Sequence, residues 1–243
     1  MEVFADARAV AAAAAEAVVE SANRAVDRSG QFVVALSGGN TPRGLYERLA
    51  APGFAERIPW DAVHVFWGDE RCVPPFDPQS DYAMAKEALL DHVPLAEGHI
   101  HRIRGEDDPE LVALEYERLL RRTFVAMTGP PPTVPGARFD LALLGLGPDG
   151  HTASLFPETA AVKEVERWVV PVQAPVAPYR RVSLTPPVLN ASARTIFMVT
   201  GAEKAPALAA VFEGPHDPSA CPAQAIDGAE WFVDAEAASL LSG

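Results

Sequence analysis

The fold is decided by the stretch Gln31–Leu49, which reads QFVVALSGGNTPRGLYERL. Its opening residues form a short apolar run, of the kind that becomes a strand covered on both faces. Two glycines then turn the chain, and Pro42 opens a periodic stretch, since proline is favoured in the first turn of a helix. The stretch therefore predicts a strand, a glycine turn and a helix.

The same pattern recurs later in the chain. Val63–Trp67 and Phe139–Leu144 are compact apolar runs that end abruptly in polar or glycine-rich segments. The alanine-rich sequence from Asp6 to Arg28 predicts a long first helix, with Gly30 as its stop signal. Further strands are predicted at 168–172, 182–184, 195–200 and 231–233, and further helices at 80–90, 109–122, 187–191 and 205–212. This alternation predicts an α/β fold, a mostly parallel Rossmann-like sheet with helices on both faces in three α/β/α layers.

A proline-rich segment interrupts the alternation. Four prolines and two glycines lie between Thr128 and Gly136, which is the strongest linker signal in the sequence. Strands of the same character flank the segment, and a single sheet can accommodate a long surface loop. We therefore predict one domain over residues 1–243.

The composition limits the classes of function. A net charge of −13 gives an averaged field that repels nucleic acid and anionic membrane surfaces, so neither is an expected partner. An anionic metabolite can bind only where arginines, lysines and backbone amides reverse the local sign. The two cysteines, Cys72 and Cys221, form no CxxC pair, which argues against a disulfide framework and a thiolate zinc site. No signal-peptide pattern and no apolar run of about 18 residues is found, so a cytoplasmic location is expected.

The glycine turn after the first apolar run has the features of a phosphate cradle. Ser37, Gly38, Gly39, Asn40 and Thr41 supply hydroxyl groups, positions where the backbone can approach a ligand, and the free amides of a helix start. A Gly-Gly turn before a helix is also commonly just a turn, so the segment alone leaves both interpretations open. Ser37 as a nucleophile is not favoured, since the GxSxG pattern is absent.

The second apolar run ends in Gly68, Asp69, Glu70 and Arg71. Acidic residues beside an arginine are usually a solvated, salt-bridged loop. Because ligands bind beyond the carboxyl ends of parallel strands, the position favours a site instead. There Arg71 could hold a phosphate through two hydrogen bonds, and Asp69 could accept hydrogen bonds from sugar hydroxyls.

The third apolar run leads into GLGPDGHTAS, residues 145–154, which places one histidine after a glycine-rich turn. Lone histidines are more often structural, but the surrounding glycines give His151 no core to pack in. Asp149 lies two residues earlier, close enough to influence the orientation of the ring. His99 and His101 share a strand face without an evident third ligand, so no metal is assigned.

Three segments in this order resemble a known family. They are SGGNTP (37–42), FWGDER (66–71) with the downstream SDYAMAKEALL (80–90), and FDLALLGLGPDGHTASLFP (139–157). Together they are similar to the 6-phosphogluconolactonase family, within the superfamily that includes glucosamine-6-phosphate deaminases. The similarity runs nearly end to end, from about Phe4 to Phe232.

The resemblance also implies roles for two later basic residues. Arg181 and Lys204 match positions expected to reach the substrate phosphate, alongside Arg71 and the amides that follow Ser37. The family usually has asparagine where this chain has Asp81. A carboxylate is awkward beside an anionic ligand, so Asp81 is left out of the predicted site.

The activity that the resemblance implies is hydrolysis of 6-phospho-D-glucono-1,5-lactone to 6-phosphogluconate in the oxidative pentose phosphate pathway, without a cofactor. A six-membered lactone is an activated ester, so a positioned water and a base with a pKa near neutrality suffice. His151 fits that base, with Asp149 as its catalytic partner. Two alternatives remain. A glucosamine-6-phosphate deaminase would be expected to carry Asn-Glu-Pro-Gly where this chain has residues 154–157, and a sugar-phosphate binding protein would keep the pocket without chemistry.

Overall fold

The computed structural model describes residues 1–128 and 138–242. The strands in this part of the chain are β1 (Glu2–Phe4), β2 (Phe32–Leu36), β3 (Val63–Trp67), β4 (Asp69–Arg71), β5 (Leu141–Gly145), β6 (Val169–Gln173), β7 (Arg180–Leu184), β8 (Thr195–Val199) and β9 (Glu230–Asp234). The α-helices are α1 (Ala7–Ser29), α2 (Asn40–Ala50), α3 (Pro52–Ala55), α4 (Asp81–Ala88), α5 (Pro109–Thr128), α6 (Pro186–Asn190) and α7 (Ala205–Glu213). Short 3₁₀ helices lie at Trp60–Ala62, Leu90–His92, Glu97–His99, Ala160–Lys163, Ala202–Lys204 and Pro222–Ala225.

Six of these strands form one parallel sheet, in the order β1-β9-β8-β5-β2-β3. The chain passes from β2 to β3 on one side and returns to β5 on the other side of β2. In an open parallel sheet, ligands bind where the strand order reverses in this way, because the loops at the carboxyl ends of the two neighbouring strands diverge there. The topology therefore predicts a ligand-binding site at the loops after β2 and β5.

Helices cover both faces of the parallel sheet. Neighbouring residues of a strand point to opposite faces. The ring of Phe66 lies 6.1 Å from that of Tyr116 on α5, whereas the ring of Trp67 lies 5.5 Å from that of Tyr82 on α4, measured between ring centroids. Every residue of β2 and β3 is buried as a result. The predicted three-layer α/β/α fold is confirmed.

A second sheet accompanies the first and was not predicted. It contains three antiparallel strands in the order β4-β7-β6. Asp69–Arg71 were expected to form a polar loop after the second apolar run, and that expectation is wrong. Three charged residues form a strand here because each pairs with a residue of β7, which lies far later in the chain.

The two ends of α1 and the start of α2 follow from the residues that flank them. Asp6 accepts a hydrogen bond from the N–H of Ala9 at 2.8 Å, and Gly30 closes α1 with a left-handed φ of 77°. Helix α2 begins at Asn40, two residues before the predicted start at Pro42, since the glycine turn leads directly into it.

The structure does not test two of the predictions made from the sequence. Apart from Thr128, which ends α5, the proline-rich segment up to Gly136 lies outside the described residues, and the single domain over 1–243 stays a prediction. Within residues 1–128 and 138–242, none of the helices combines the length and the apolar character needed to cross a bilayer.

Candidate active site

The loops after β2 and β5 meet strands β4 and β7 and the start of α4 around a cavity of about 230 Å³. Its lining comprises Ser37, Gly38, Gly39, Asp69, Arg71, Asp81, Gly145, Leu146, Gly147, Pro148, His151, Ala153, Arg181 and Lys204. Most of the predicted site residues are therefore brought together. Asn40, Thr41 and Asp149 are the predicted site residues that do not line the cavity.

Hydrogen bonds to the side chain of Tyr46 fix the turn after β2. The hydroxyl of Tyr46 on α2 donates to the carbonyl of Ser37 at 2.8 Å and accepts from the N–H of Ser37 at 3.0 Å. Gly39 has a φ of 100°, which favours glycine. Within the described residues, the N–H groups of Gly38, Gly39 and Asn40 donate to no acceptor. They are available to an anion at the start of α2.

Thr41 joins two turns instead of lining the cavity. Its hydroxyl forms a hydrogen bond of 2.7 Å with the hydroxyl of Thr200. Thr41 lies in the first turn of α2, and Thr200 directly follows β8. The contact therefore ties together the loops at the carboxyl ends of two strands of the parallel sheet, while Asn40 is exposed at the first position of α2.

Two arginines lie side by side on the second sheet. Arg71 on β4 and Arg181 on β7 are register partners, so their side chains leave the sheet on the same face. Like charges directly opposite each other are destabilising, and an anion between them would relieve the repulsion. Arg181 is only 6% exposed, and this burial lowers the pKa of its guanidinium. Lys204 brings a third cation to the cavity from the 3₁₀ helix that precedes α7.

Asp81 lies next to these cations. Its Oδ1 is 2.8 Å from Nη1 of Arg71, and its side chain is 2% exposed. Burial raises the pKa of Asp81 well above its usual value and the charge of Asp69 raises it further, although Arg71 acts in the opposite direction. A carboxyl that takes up a proton readily does not repel an anion as a permanent charge does. Asp81 lines the cavity beside Arg71, although it was left out of the predicted site.

The two acidic residues of β4 have different contacts. Glu70 accepts hydrogen bonds from two backbone N–H groups at the start of α4, each at 2.8 Å, and from the hydroxyl of Ser80 at 2.9 Å. Asp69 lines the cavity and accepts a hydrogen bond of 2.6 Å from the hydroxyl of Ser154. Glu70 therefore fixes the helix that carries Asp81, whereas Asp69 fixes the loop after β5.

The ring of His151 is held from two sides. Asp149 forms a hydrogen bond with Nδ1 of the ring and accepts another from the backbone N–H of His151, the latter at 3.2 Å. The ring of Phe156 lies 4.4 Å away between centroids. Gly147 provides the space, because a Cβ at this position would lie 2.0 Å from Nδ1 of His151.

Asp149 is ionised in this arrangement. Burial alone would raise the pKa of Asp149, but the hydrogen bond and the charge of His151 outweigh that effect and lower the pKa. An ionised carboxylate accepts the hydrogen bond from Nδ1–H, so Nε2 is the free nitrogen of the neutral ring. The His151 side chain is 24% exposed, which leaves the ring accessible from the cavity that it lines.

The comparison with known proteins identifies the family. Residues 5–233 match the family model described as glucosamine-6-phosphate isomerases/6-phosphogluconolactonase. The chain belongs to this family.

Two curated relatives of this family show high similarity over their whole length. The 6-phosphogluconolactonase of a Nostoc species is 39% identical over 100% of this chain and 98% of the relative. The 6-phosphogluconolactonase of Mycobacterium tuberculosis is 37% identical, with coverage of 99% and 98%. Among solved structures, the 6-phosphogluconolactonase from Trypanosoma brucei is similar with a TM-score of 0.81 at 27% identity, with coverage of 99% and 98%.

Within this member of the glucosamine-6-phosphate isomerase/6-phosphogluconolactonase family, the structure adds residues that sequence reasoning did not select. Asp81, Leu146, Pro148 and Ala153 all line the cavity. Ala153 has a φ of 47°, which is uncommon for a residue with a side chain. Its only signal in the sequence was its position in the motif that carries His151.

Three further histidines cluster outside the cavity lining. The rings of His64 and His99 stack at 3.9 Å between centroids, and Nδ1 of His64 lies 3.1 Å from Nε2 of His101. Burial, together with the neighbouring imidazoles, lowers the pKa of His64 and of His101 to about 4. Among the residues that the structure describes, no group of three or more His, Cys, Asp or Glu side chains is placed to hold a metal ion.

Proposed function

We propose that this chain hydrolyses 6-phospho-D-glucono-1,5-lactone to 6-phosphogluconate, the second step of the oxidative pentose phosphate pathway. Its full-length curated relatives carry the name 6-phosphogluconolactonase. One observation carries the assignment of the site: a single cavity is lined both by the oriented imidazole of His151 and by the cations Arg71, Arg181 and Lys204.

The phosphate of the substrate is assigned to the cationic part of the cavity. An anion between Arg71 and Arg181 relieves their mutual repulsion, and the N–H groups at the start of α2 add further donors. The chain has a net charge of −13, so an anionic substrate needs a site where the local electrostatic potential is positive. A phosphate held at this end positions the lactone carbonyl, so its binding energy lowers the barrier at the reacting carbon.

His151 is the proposed general base. The ionised Asp149 accepts the hydrogen bond from Nδ1–H, which leaves Nε2 able to take a proton from a water molecule. The oxygen of that water bonds to the carbonyl carbon of the lactone as its proton moves to Nε2. General base catalysis of this kind contributes typically about 10² to 10⁴-fold to the rate.

The same ring completes the reaction. The tetrahedral intermediate collapses, the carbonyl re-forms, and the bond between the carbonyl carbon and the ring oxygen breaks. The protonated ring of His151 gives its proton to that oxygen, which becomes a hydroxyl group of the open-chain acid. Backbone amides or a cationic side chain of the cavity stabilise the oxyanion in between.

The activity is tested by following lactone disappearance with and without the protein at slightly acidic pH, where spontaneous opening of the ring is slower. Consumption of the lactone well above the spontaneous rate is expected, with no ammonia released from glucosamine 6-phosphate. Ammonia release at a useful rate, or no acceleration of lactone opening, would contradict the proposal.

The phosphate site is tested by comparing two neighbouring arginines of β7. Arg181→Ala removes a buried cation of the cavity. KM is therefore expected to rise by about 10- to 100-fold, which corresponds to the free energy of a hydrogen bond to a charged group. Arg180→Ala is the matched control, because the side chain of Arg180 is 63% exposed and lies 3.5 Å from Asp108. Equal KM values for the two variants would remove Arg181 from the phosphate site.

A further inference from the structure

A second cavity, of about 360 Å³, lies between α5 and the segment that follows the 3₁₀ helix at 97–99. Its lining shares no described residue with the candidate active site. Four arginines line it: Arg102 and Arg104 from the segment, and Arg118 and Arg122 from α5. One fifth of the 20 lysines and arginines thus surround one cavity in a chain of net charge −13.

Two of the three arginines of α5, Arg118 and Arg122, pair with no carboxylate in the part of the chain that the structure describes. Arg118 and Arg122 are four residues apart and so lie on the same face of the helix, where like charges repel each other. In residues 1–128 and 138–242, neither forms an ion pair. Arg121, on the same helix, instead pairs with Glu117 at 2.8 Å. An anion bound between Arg118 and Arg122 would compensate both charges.

The other two arginines are held in place. Arg102 donates two hydrogen bonds to Glu106, at 2.6 and 2.8 Å, and Arg104 lies 2.7 Å from Asp107. A guanidinium carries five N–H donors, so such pairing leaves donors for a ligand. The acidic residue in the cavity lining is Glu115.

The rest of the lining is apolar. It is formed by Val112, Leu119 and Tyr116, of which Val112 and Tyr116 are 4% and 3% exposed. Cavities that bind small molecules are typically about 300 to 1,000 Å³, mostly apolar, with a few polar groups that fix orientation. Arginine suits phosphate because its planar group offers paired donors. An apolar floor beside cations suits a ligand with both a ring and a phosphate.

We propose that this cavity binds an organic phosphate of nucleotide size. The phosphate lies between Arg118 and Arg122, and the ring of the ligand packs against Val112, Tyr116 and Leu119. The proposal goes beyond lactone hydrolysis and does not depend on it.

Calorimetric titration of ADP into the full chain tests the site, with 6-phosphogluconate present in excess to occupy the candidate active site. Binding of ADP is expected, and the variant R118A/R122A is expected to bind at least about tenfold more weakly. The control R8A/R48A removes two exposed arginines that line neither cavity and is expected to leave the Kd unchanged. Equal Kd values for wild type and R118A/R122A, or no ADP binding at millimolar concentration, would overturn the proposal.

Two further titrations sharpen the result. Glu115→Gln removes the negative charge of the lining, so ADP is expected to bind about two- to fivefold tighter, a gain that misfolding cannot produce. Inorganic phosphate in place of ADP is expected to bind at least about tenfold more weakly, because it does not use the apolar floor. Equal affinity for the two would refute an organic ligand. All of these experiments measure binding and not lactone hydrolysis. A negative result would therefore refute the organic-phosphate site without affecting the proposed activity, and loss of the proposed activity would not affect this site.

Discussion

Replacing Gly38 with alanine probes the contact that joins the glycine turn to α4. A Cβ at this position would lie 1.6 Å from Oδ1, 2.2 Å from Cγ and 2.8 Å from Oδ2 of Asp81. Ordinary contact begins at 3.4 Å, so the carboxylate must move by roughly 1.8 Å. It cannot do so freely, because Oδ1 lies 2.8 Å from Arg71 and the backbone N–H of Asp81 is bonded to Glu70.

The magnitude follows from the burial of this pair. Overpacking a core costs about 1–3 kcal/mol, and losing a buried hydrogen bond adds about 1–3 kcal/mol. Because Asp81 is displaced instead of removed, a loss of about 2–4 kcal/mol in the free energy of unfolding is expected. For a chain of this size that lowers Tm by about 4–16 °C. KM for the lactone is expected to rise as well, since Arg71 loses its fixed position.

Calorimetric Tm values and KM values are measured for the native chain and four variants: G38A, D81A, G38A/D81A and the control G53A. Gly53 has nothing within 4 Å of an added Cβ, so G53A is expected to change neither quantity. In the D81A background the clash is absent, and G38A is expected to cost less than about 0.5 kcal/mol, the limit of additivity for independent sites. An unchanged Tm and KM for G38A, or the same cost in both backgrounds, would refute the reasoning.

Three other outcomes are expected. Asp149→Asn removes the carboxylate that orients His151, so kcat should fall by about 10²-fold or more with KM little changed; steady-state kinetics that show a native kcat would contradict this role. The pKa of Asp81 is raised by burial, so the carboxyl becomes charged only as pH rises through that raised value, and binding of 6-phosphogluconate should weaken over that range. Asp81→Asn should flatten this pH dependence of the inhibition constant, and an unchanged slope would count against the assignment. The pKa of His64 and of His101 is about 4 in the folded chain, below the usual value of 6.5. Stability should be full above pH 6.5 and fall as pH is lowered towards 4, by less than about 2 kcal/mol per ring at pH 5, because solvent screens these half-buried rings. Denaturant titrations test this, and a native chain equally stable at pH 7 and pH 5 would exclude it.

Five of the six strands of the parallel sheet were predictable because they are local apolar runs, whereas the edge strand β1 is short and largely exposed and was not predicted. Val63–Trp67 reproduces the predicted bounds, and the first strand, predicted at Gln31–Leu36, is observed at Phe32–Leu36. Each run is covered on both faces, so its composition alone marks it as a buried strand. The glycine-containing loops after β2 and β5 were placed correctly for the same reason, whereas the segment after β3 forms strand β4.

The second sheet and the environment of Asp81 were not predictable in this way. Strand β4 is short and charged, and its pairing with β7 brings together residues that are far apart in the sequence. The register that puts Arg71 opposite Arg181 is a property of the folded chain alone. The sequence likewise gives no sign that Asp81 is buried beside Arg71, which is what changes its affinity for a proton.

Replacement of His151 by alanine is the most direct test of the chemistry assigned to the cavity. Lactone disappearance and calorimetric binding of 6-phosphogluconate are measured on the same protein. The rate is expected to fall by about 10² to 10⁴-fold towards the spontaneous rate, while the Kd stays within about threefold of the native value, because the phosphate is held by other residues. A variant that hydrolyses the lactone at the native rate would contradict the role of His151 as the base.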